Sequence, residues 1–536
     1  MSTHTQQEVR FARVVGTRFL AFVCASDESR LNARLTDGRP LRPEQEDALG
    51  QVLAAAAQSA VMAFQTGGGE GDFLYPLLEY DETAGLSRPN ALRRSASGVI
   101  PRIRFADPLE RALATLARDL YPTILLDIPG VPGRIGPPRW VQRTWPMSPV
   151  LYRHPAAGVF ETAAEKDHDL KPLFTRETPE SGKTGFIWTS LGTGRSVQLS
   201  MLAYDLMVAT LIQLTLEGEV EHASFINGSV LQLRRLRQLL AGERTTVRCS
   251  IAFVGAELRG RPLETPWGTL RRPTTGERDL RADTPVAHSQ ELVLATTVPL
   301  EVRIEREPPG SDGALGPSPF ADEVASTYAS LQHKADLLAL TLLLGLHRQP
   351  VVAIARTWTV VENPLNQGPS LSWSQNALPL HPHGLESDDR RRIRTWANRI
   401  DRHYSDRIEI AVKRTLSSLT TRWDATDRLI DAVVALENLF GTGSGELAFR
   451  ISAGCAYLLE REPVRRIEIQ REVARLYTVR SKIVHGAHAP APNDVDPDAR
   501  AASVFAVRSL RALFARRPEL LDAKDRARLL ILGNAR

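Results

Sequence analysis

A chain of 536 residues is too long for one hydrophobic core, which rarely grows past roughly 250–300 residues, so more than one domain is expected. With 43% hydrophobic and 24% charged residues, the composition excludes a disordered, fibrous or collagen-like chain. Net charge is +5, and from Asp401 onward 23 Lys and Arg face 18 Asp and Glu, so the whole excess lies in the last quarter. A basic surplus there fits an anionic partner. The preference for arginine over lysine runs through the whole chain, however, and a GC-rich coding sequence explains it more simply.

Cys24, Cys249 and Cys455 stand alone with no Cys-x-x-Cys spacing, which implies neither a disulfide framework nor a thiolate zinc site. That usage fits a reducing cytoplasm. Near the N-terminus, Arg10, Arg13 and Arg18 flank the apolar run Phe19–Ala25, which is too short for a secretory signal. The run Leu337–Leu346 is too short to span a bilayer and reads as a buried core helix, so no membrane partner is expected.

In chain order, Glu44–Phe64 is an Ala-rich helix on propensity, and Asp107–Leu120 is an amphipathic one. Pro- and Gly-rich loops follow around Ile128–Pro138. Ser200–Leu214 is apolar nearly all round, which leaves a buried helix or two buried strands. Thr246–Val254 and Leu300–Glu305 alternate as half-buried strands do, the first with Val247, Cys249, Ile251 and Phe253 on one face. Glu307–Pro319 has linker composition, and a helix is expected over about Asp322–Leu346. Arg356–Ser374 reads as short strands and Leu378–Asp389 as a boundary. From about Asp388 to Leu532 the pattern is helical, with breaks near Gly441–Gly445, Glu462–Pro463 and His488–Pro497. The expected architecture is therefore α+β and multidomain. A mixed helix and loop region covers 1–185, an α+β region with antiparallel strands covers 186–387, and an all-α bundle covers 388–536.

Within that last region, Ala425–Phe440 predicts a helix with Thr426 as N-cap and with Leu429, Ile430, Val433, Val434 and Leu436 on its apolar side. Glu437 falls three and four residues after Val434 and Val433, so it points into that side, where a carboxylate is costly unless paired. In the helix REVARLYTVRSKIVHG the stripe is Val473, Leu476, Ile483 and Val484, and Arg480 lies on it. Two opposite charges on the inner faces of two helices predict each other as partners. The plainest reading of such a pair is that it fixes helix register. His485 follows in an Arg-x4-His arrangement, with Gly486 as the expected C-cap. A histidine in a last turn can simply cap carbonyls.

The succession DRLIDAVVALENLF, ELAFRISAGCAYLL and REVARLYTVRSKIVHG resembles the ApeA-like branch of the HEPN superfamily, over about Asp388–Leu532. The resemblance implies a small helical bundle. It also implies a metal-independent endoribonuclease built on an Arg-x4–6-His motif, of the kind that bacteria use in anti-phage defence or as toxins. Arg480 and His485 match the motif as catalytic residues, with Glu437, Ser481 and Tyr477 in support and Arg450 at a further position of the branch. Ser481 departs from the more usual asparagine, aspartate or histidine. The implied partners are an RNA substrate and a second copy of the chain, with no cofactor and no metal. The first 390 or so residues would then sense a trigger, such as a phage product, or restrain the nuclease. The competing expectation is a non-catalytic dimerisation or RNA-binding scaffold.

Other signals are weak. Ser181–Gly185 contains Gly-Lys-Thr, but Glu177 occupies the position where a P-loop needs glycine. Thr66–Phe73 lacks the strand-then-helix setting of a dinucleotide fingerprint. His381, His383 and His403 read as solvated rather than metal-binding, and Thr265–Arg271 as a packed turn rather than a recognition loop. Asp205 needs a local partner.

Overall fold

The computed structural model describes residues 12, 15–66, 75–126, 144, 146–174, 176–178, 182–190, 194–218, 220–279, 291–304, 321–346, 355–364, 383–441, 446–485 and 492–533. It is a mixed α+β structure, mostly helical, with antiparallel sheets in its middle and a helical C-terminal region. The loops expected at 128–138, the linker at 307–319, Thr66–Phe73 beyond Thr66, His381 and the 370–374 strand lie outside the described residues.

Both early helices form: α1 (Pro43–Thr66) and α2 (Pro108–Leu120), the second capped by Asp107, which accepts the Glu110 N–H at 2.9 Å. The ambiguous apolar segment is one helix, α3 (Leu199–Glu217), and α4 (His222–Leu240) packs against it. Of the described helices, α3 is the one long and apolar enough to cross a membrane, and 78% of its most apolar window is buried inside the protein. Asp205 sits on it without exposure and receives Arg195 Nη2 at 2.5 Å, the local partner its position demands.

Strands β1 (Arg176–Thr178), β2 (Gly182–Thr189) and β3 (Gly194–Gln198) form one sheet. The Gly-Lys-Thr triplet lies in β2, where Lys183 pairs with Glu165 at 3.0 Å, so no phosphate loop exists there. A second sheet has the order β9–β4–β7–β6–β5, formed by β4 (Thr245–Val254), β5 (Leu263–Thr265), β6 (Gly268–Arg271), β7 (Glu291–Leu300) and β9 (Ala355–Val361). All its pairings are antiparallel. Val247, Cys249, Ile251 and Phe253 are buried on one face of β4 as their alternation predicts. Toward its end Ala252 is buried as well, in a small cluster with Val293, Trp358 and Val360, because β4 is an interior strand between β9 and β7 and is covered there on both faces.

The Leu300–Glu305 strand needs correction. Leu300 ends β7, while β8 (Val302–Ile304) pairs with β2 in the other sheet. The switch occurs at Glu301, whose N–H donates to Ser190 Oγ at 3.1 Å and whose carbonyl accepts the Ser190 N–H at 2.9 Å. Alternation survives a change of sheet because it records only which side of the strand faces apolar neighbours.

The long helix α5 (Ala321–Gly345) buries Leu337–Leu346 almost completely. It packs on β7 on one side and on the C-terminal helices on the other. Those helices are α6 (Ser387–His403), α7 (Glu409–Thr420), α8 (Ala425–Phe440), α9 (Leu447–Leu459), α10 (Pro463–Val484), α11 (Pro492–Arg516) and α12 (Arg526–Leu532). Helix α8 is the centre, packed on α7, α9, α10 and α11. Arg511 of α11 donates to the Leu344 and Leu343 carbonyls at 3.1 Å each, closing the end of α5. One continuous set of buried apolar side chains runs from Ala12 to Ala527.

Two further expectations are corrected. The break expected to reach Pro497 stops earlier, because α11 begins at Pro492 and Pro497 lies inside it. A proline in the second turn forfeits the bond to the carbonyl four residues back, here that of Asn493, and crowds it, but this is so near the start of the helix that the later turns keep their bonds. The N-cap of α8 is Asp424, not Thr426. Its Oδ1 accepts the N–H groups of Thr426 and Asp427 at 2.8 and 3.1 Å. Both residue types cap well, so local sequence leaves the choice to the chain's entry angle.

Candidate active site on the C-terminal helices

Helix α8 carries Glu437 in its last turn. Leu429, Val433 and Leu436 are buried and fix its rotation, which turns Glu437 toward α10. Its C-terminal end is held by Arg526, a side chain almost wholly buried, which donates to the carbonyls of Asn438 and Leu439 at 3.3 and 3.5 Å. The same guanidinium reaches the Leu520 and Leu521 carbonyls at 2.9 and 2.7 Å. Burial lowers its pKa to about 10, leaving it charged at neutral pH. Gly441 follows; a Cβ there would meet the Glu437 carbonyl oxygen at 2.6 Å and Leu447 Cδ1 at 2.8 Å. Glycine is required because the chain leaves α8 tightly against α9.

Helix α10 starts at Pro463 behind Glu462, whose carboxylate accepts the Val464 and Arg465 N–H groups at 3.0 and 2.8 Å. Val473 and Leu476 are its only described residues that are fully buried. Ile483 is partly buried, but Val484, expected on the inner stripe, is 50% exposed. The stripe ends early: α8 stops at Phe440, and past Leu476 no residue of α10 is fully buried.

Arg480 and Glu437 do meet, as their positions on the two helices predict. Arg480 Nη1 lies 3.3 Å from Glu437 Oε1, and Nη2 donates to Oε2 at 3.5 Å, with both side chains 20% exposed. The contact is loose. Arg480 Nε and Glu437 Oε1 are buried without a hydrogen-bond partner. Burial pushes the Glu437 carboxyl above its ordinary range, and the Arg480 guanidinium offsets this only in part. One turn earlier on the same helix, Arg475 is fully engaged: it takes Glu472 at 3.0 and 2.8 Å and Asp498 at 3.1 and 2.6 Å. A pair selected only to fix register would resemble that of Arg475.

His485 is the C-cap of α10 and is exposed, its N–H bonded to the Ser481 carbonyl at 3.0 Å. Among the described residues its imidazole has no hydrogen bond or ion pair, so it does not use its ring to cap the helix. Five residues span about 7.5 Å of helix, so His485 and Arg480 share one end of α10 without touching end to end. Gly486 lies outside the described residues. Ser481 is partly exposed beside Arg480, and Tyr477 packs on the core one turn before it. Arg450 of α9 has an acid of its own. It forms an ion pair with Asp525, the N-cap of α12, whose carboxylate also accepts the Arg528 N–H at 3.0 Å.

Sequence reasoning missed a second charged node. Asp431 is buried and accepts Arg414 Nη1 at 2.7 Å, Arg422 Nε at 2.9 Å and Ser417 Oγ at 2.8 Å. Burial alone would raise its pKa, but the hydrogen bonds from Arg422, Ser417 and Arg414 outweigh it and hold the carboxyl below its ordinary range. Spacing gave no signal for it: two residues from both Leu429 and Val433, Asp431 is turned away from their side of α8, and it is buried because α8 is packed by several helices at once. No cluster of three or more His, Cys, Asp or Glu side chains placed for a metal occurs among the described residues, and His383 is spent on Asp389 at 3.4 Å.

Along α10, Arg465, Arg471 and Lys482 are exposed, and so are the apolar side chains of Val464, Ile467 and Val484. The neighbouring α9 exposes Phe449 and Tyr457. No family model, no curated protein and no solved structure matches this chain.

Proposed function

We propose that the chain is a metal-independent endoribonuclease of the HEPN type, acting as a homodimer through its C-terminal helices and serving bacterial anti-phage defence. The observation that carries this reading is the tip of α10. There a guanidinium steadied but not saturated by Glu437 lies five residues before an exposed imidazole that has no hydrogen bond or ion pair among the described residues. RNA supplies its own nucleophile, so few parts are needed. His485 takes the proton from the ribose 2′-hydroxyl, and the 2′-oxygen bonds to phosphorus. Arg480 receives the negative charge that builds on the phosphoryl oxygens. The P–O5′ bond breaks as the leaving oxygen gains a proton, giving a 2′,3′-cyclic phosphate and a 5′-hydroxyl.

One imidazole cannot stand on both sides of an in-line displacement, so the second proton would come from the partner subunit's His485. The exposed apolar side chains of α9 and α10 support such pairing, and the exposed cations of α10 support binding of a polyanion. The residues before α6 would carry the sensor or restraint, with α5 and the contact of α6 on β5 linking the sheet to the bundle.

The test is incubation of purified protein with total RNA and with single-stranded DNA, followed by mapping of fragment ends. Cyclic-phosphate ends from RNA, intact DNA and loss of cleavage in His485→Ala support the proposal. Folded, dimeric protein that binds RNA without cutting it would instead establish a scaffold.

A further inference from the structure

On the central sheet, far along the chain from α10, lies a cavity of about 680 Å³. Strands β4, β6 and β7 form its floor, and α3, α5 and the Thr265–Gly268 turn form its walls. That volume is typical of a site for a small organic molecule. The turn is pinned: Gly268 has φ of 141°, and a Cβ on it would meet the Ala295 carbonyl oxygen at 2.3 Å. Trp267 is thereby held at the cavity as a largely buried aromatic surface.

The charges lining the cavity decide what fits. Arg271 is spent on Glu277, with two contacts of 2.6 and 2.7 Å. Arg248 serves both Glu217 and Glu362, and Arg235 adds a second positive charge near the same two acids. Lys334 is different. Its ammonium donates to the Thr297 carbonyl at 3.1 Å and to Thr296 Oγ1 at 3.4 Å, and among the described residues it has no carboxylate partner. An ammonium has three N–H donors, so one remains for a ligand. One unmatched positive charge calls for a monoanion; a dianion would bring surplus negative charge toward Glu217 and Glu362.

We propose that this cavity binds a small, ring-bearing monoanionic metabolite, its carboxylate or phosphodiester oxygens received by Lys334 and Thr296 and its ring lying against Trp267. The proposal is independent of the nuclease reading, since binding is measured without RNA.

The experiment is calorimetric titration of the full-length protein with two matched pairs: cyclic AMP against adenosine, and nicotinate against nicotinamide. The expected result is that at least one anion binds and its neutral counterpart binds at least about tenfold more weakly, the worth of one charge-assisted hydrogen bond. The pair that responds tells phosphodiester from carboxylate. Lys334→Met should abolish the preference and Lys334→Arg should keep part of it, with circular dichroism confirming the fold. Should Lys334→Met not fold, wild-type binding of the anion must still weaken between about 0.05 and 0.5 M salt. Equal binding of charged and neutral partners, no anion binding up to about 1 mM, or undiminished binding by a folded Lys334→Met would each overturn the proposal.

Discussion

Arg480 and Glu437 lie on different helices, 43 residues apart, and come within 3.3 Å, yet each keeps a buried polar atom without a partner. The acid orients the guanidinium and leaves it chemically unspent. Removing either partner should therefore have separable effects. Arg480→Ala is expected to cost about 1–3 kcal/mol, less than for a fully sequestered pair because both groups still touch water. Arg480→Lys should retain most of the stability and lose cleavage, because lysine lacks the planar fork. Urea denaturation beside an RNA cleavage assay reads both.

His485→Ala should leave unfolding free energy within about 0.5 kcal/mol, since the side chain is exposed and has no hydrogen bond or ion pair among the described residues. Cleavage should fall by about 10²–10⁴-fold, the range for losing a proton-transfer group. A change in melting temperature equal to that of Arg480→Ala would instead show that the imidazole holds the helix end.

Two acids of α8 should give opposite pH signatures. The Glu437 carboxyl is raised in the folded state, so the native protein keeps its proton to higher pH than the unfolded chain. Stability from that group therefore falls as pH rises through the window just above the ordinary glutamate range, and Glu437→Gln should flatten this slope. Asp431 is lowered, so its contribution is present above the ordinary aspartate range and is lost as pH falls below it. Asp431→Asn should cost about 2–3 kcal/mol at neutral pH and progressively less as pH falls below the ordinary aspartate range, measured by urea titration at each pH.

Arg526→Met keeps the volume of the buried side chain but removes donors from four carbonyls, those of Asn438, Leu439, Leu520 and Leu521. A loss of about 2–4 kcal/mol is expected by denaturant unfolding. Because two of those carbonyls end α8, the variant should also weaken cleavage at temperatures where it remains folded.

Phe449 and Ile467 are 53% and 51% exposed, so replacing either with aspartate should leave the protomer folded. If these side chains meet across a two-fold axis, Phe449→Asp and Ile467→Asp should be monomeric by sedimentation. They should cleave RNA about a hundredfold more slowly, as expected when the second proton-transfer group is missing.

Much of the helical architecture was legible because its periodicity is strong. The bounds of α8 agree with expectation, and the turn toward Glu437 followed from Val433 and Val434 alone. The burial of Ser200–Leu214 was legible but its conformation was not, since an all-round apolar run has no period to read. The split of Leu300–Glu305 between two sheets was hidden because alternation carries no partner information. Arg526 and Asp431 were hidden for a related reason: their partners are backbone carbonyls and arginines that come near only after α8, α11 and α12 have packed.

Sequence alone determined which face of each helix turns inward, where most helices begin and end, and that Arg480 and Glu437 would need each other. These follow from local geometry and from the cost of burying a charge, both fixed by nearest neighbours along the chain. Tertiary structure alone decided that Val484 and His485, at the end of α10, are exposed, and that Lys334 stands at a cavity with no carboxylate partner among the described residues. Both depend on where separate helices and strands stop relative to one another in space, a quantity that no local pattern encodes.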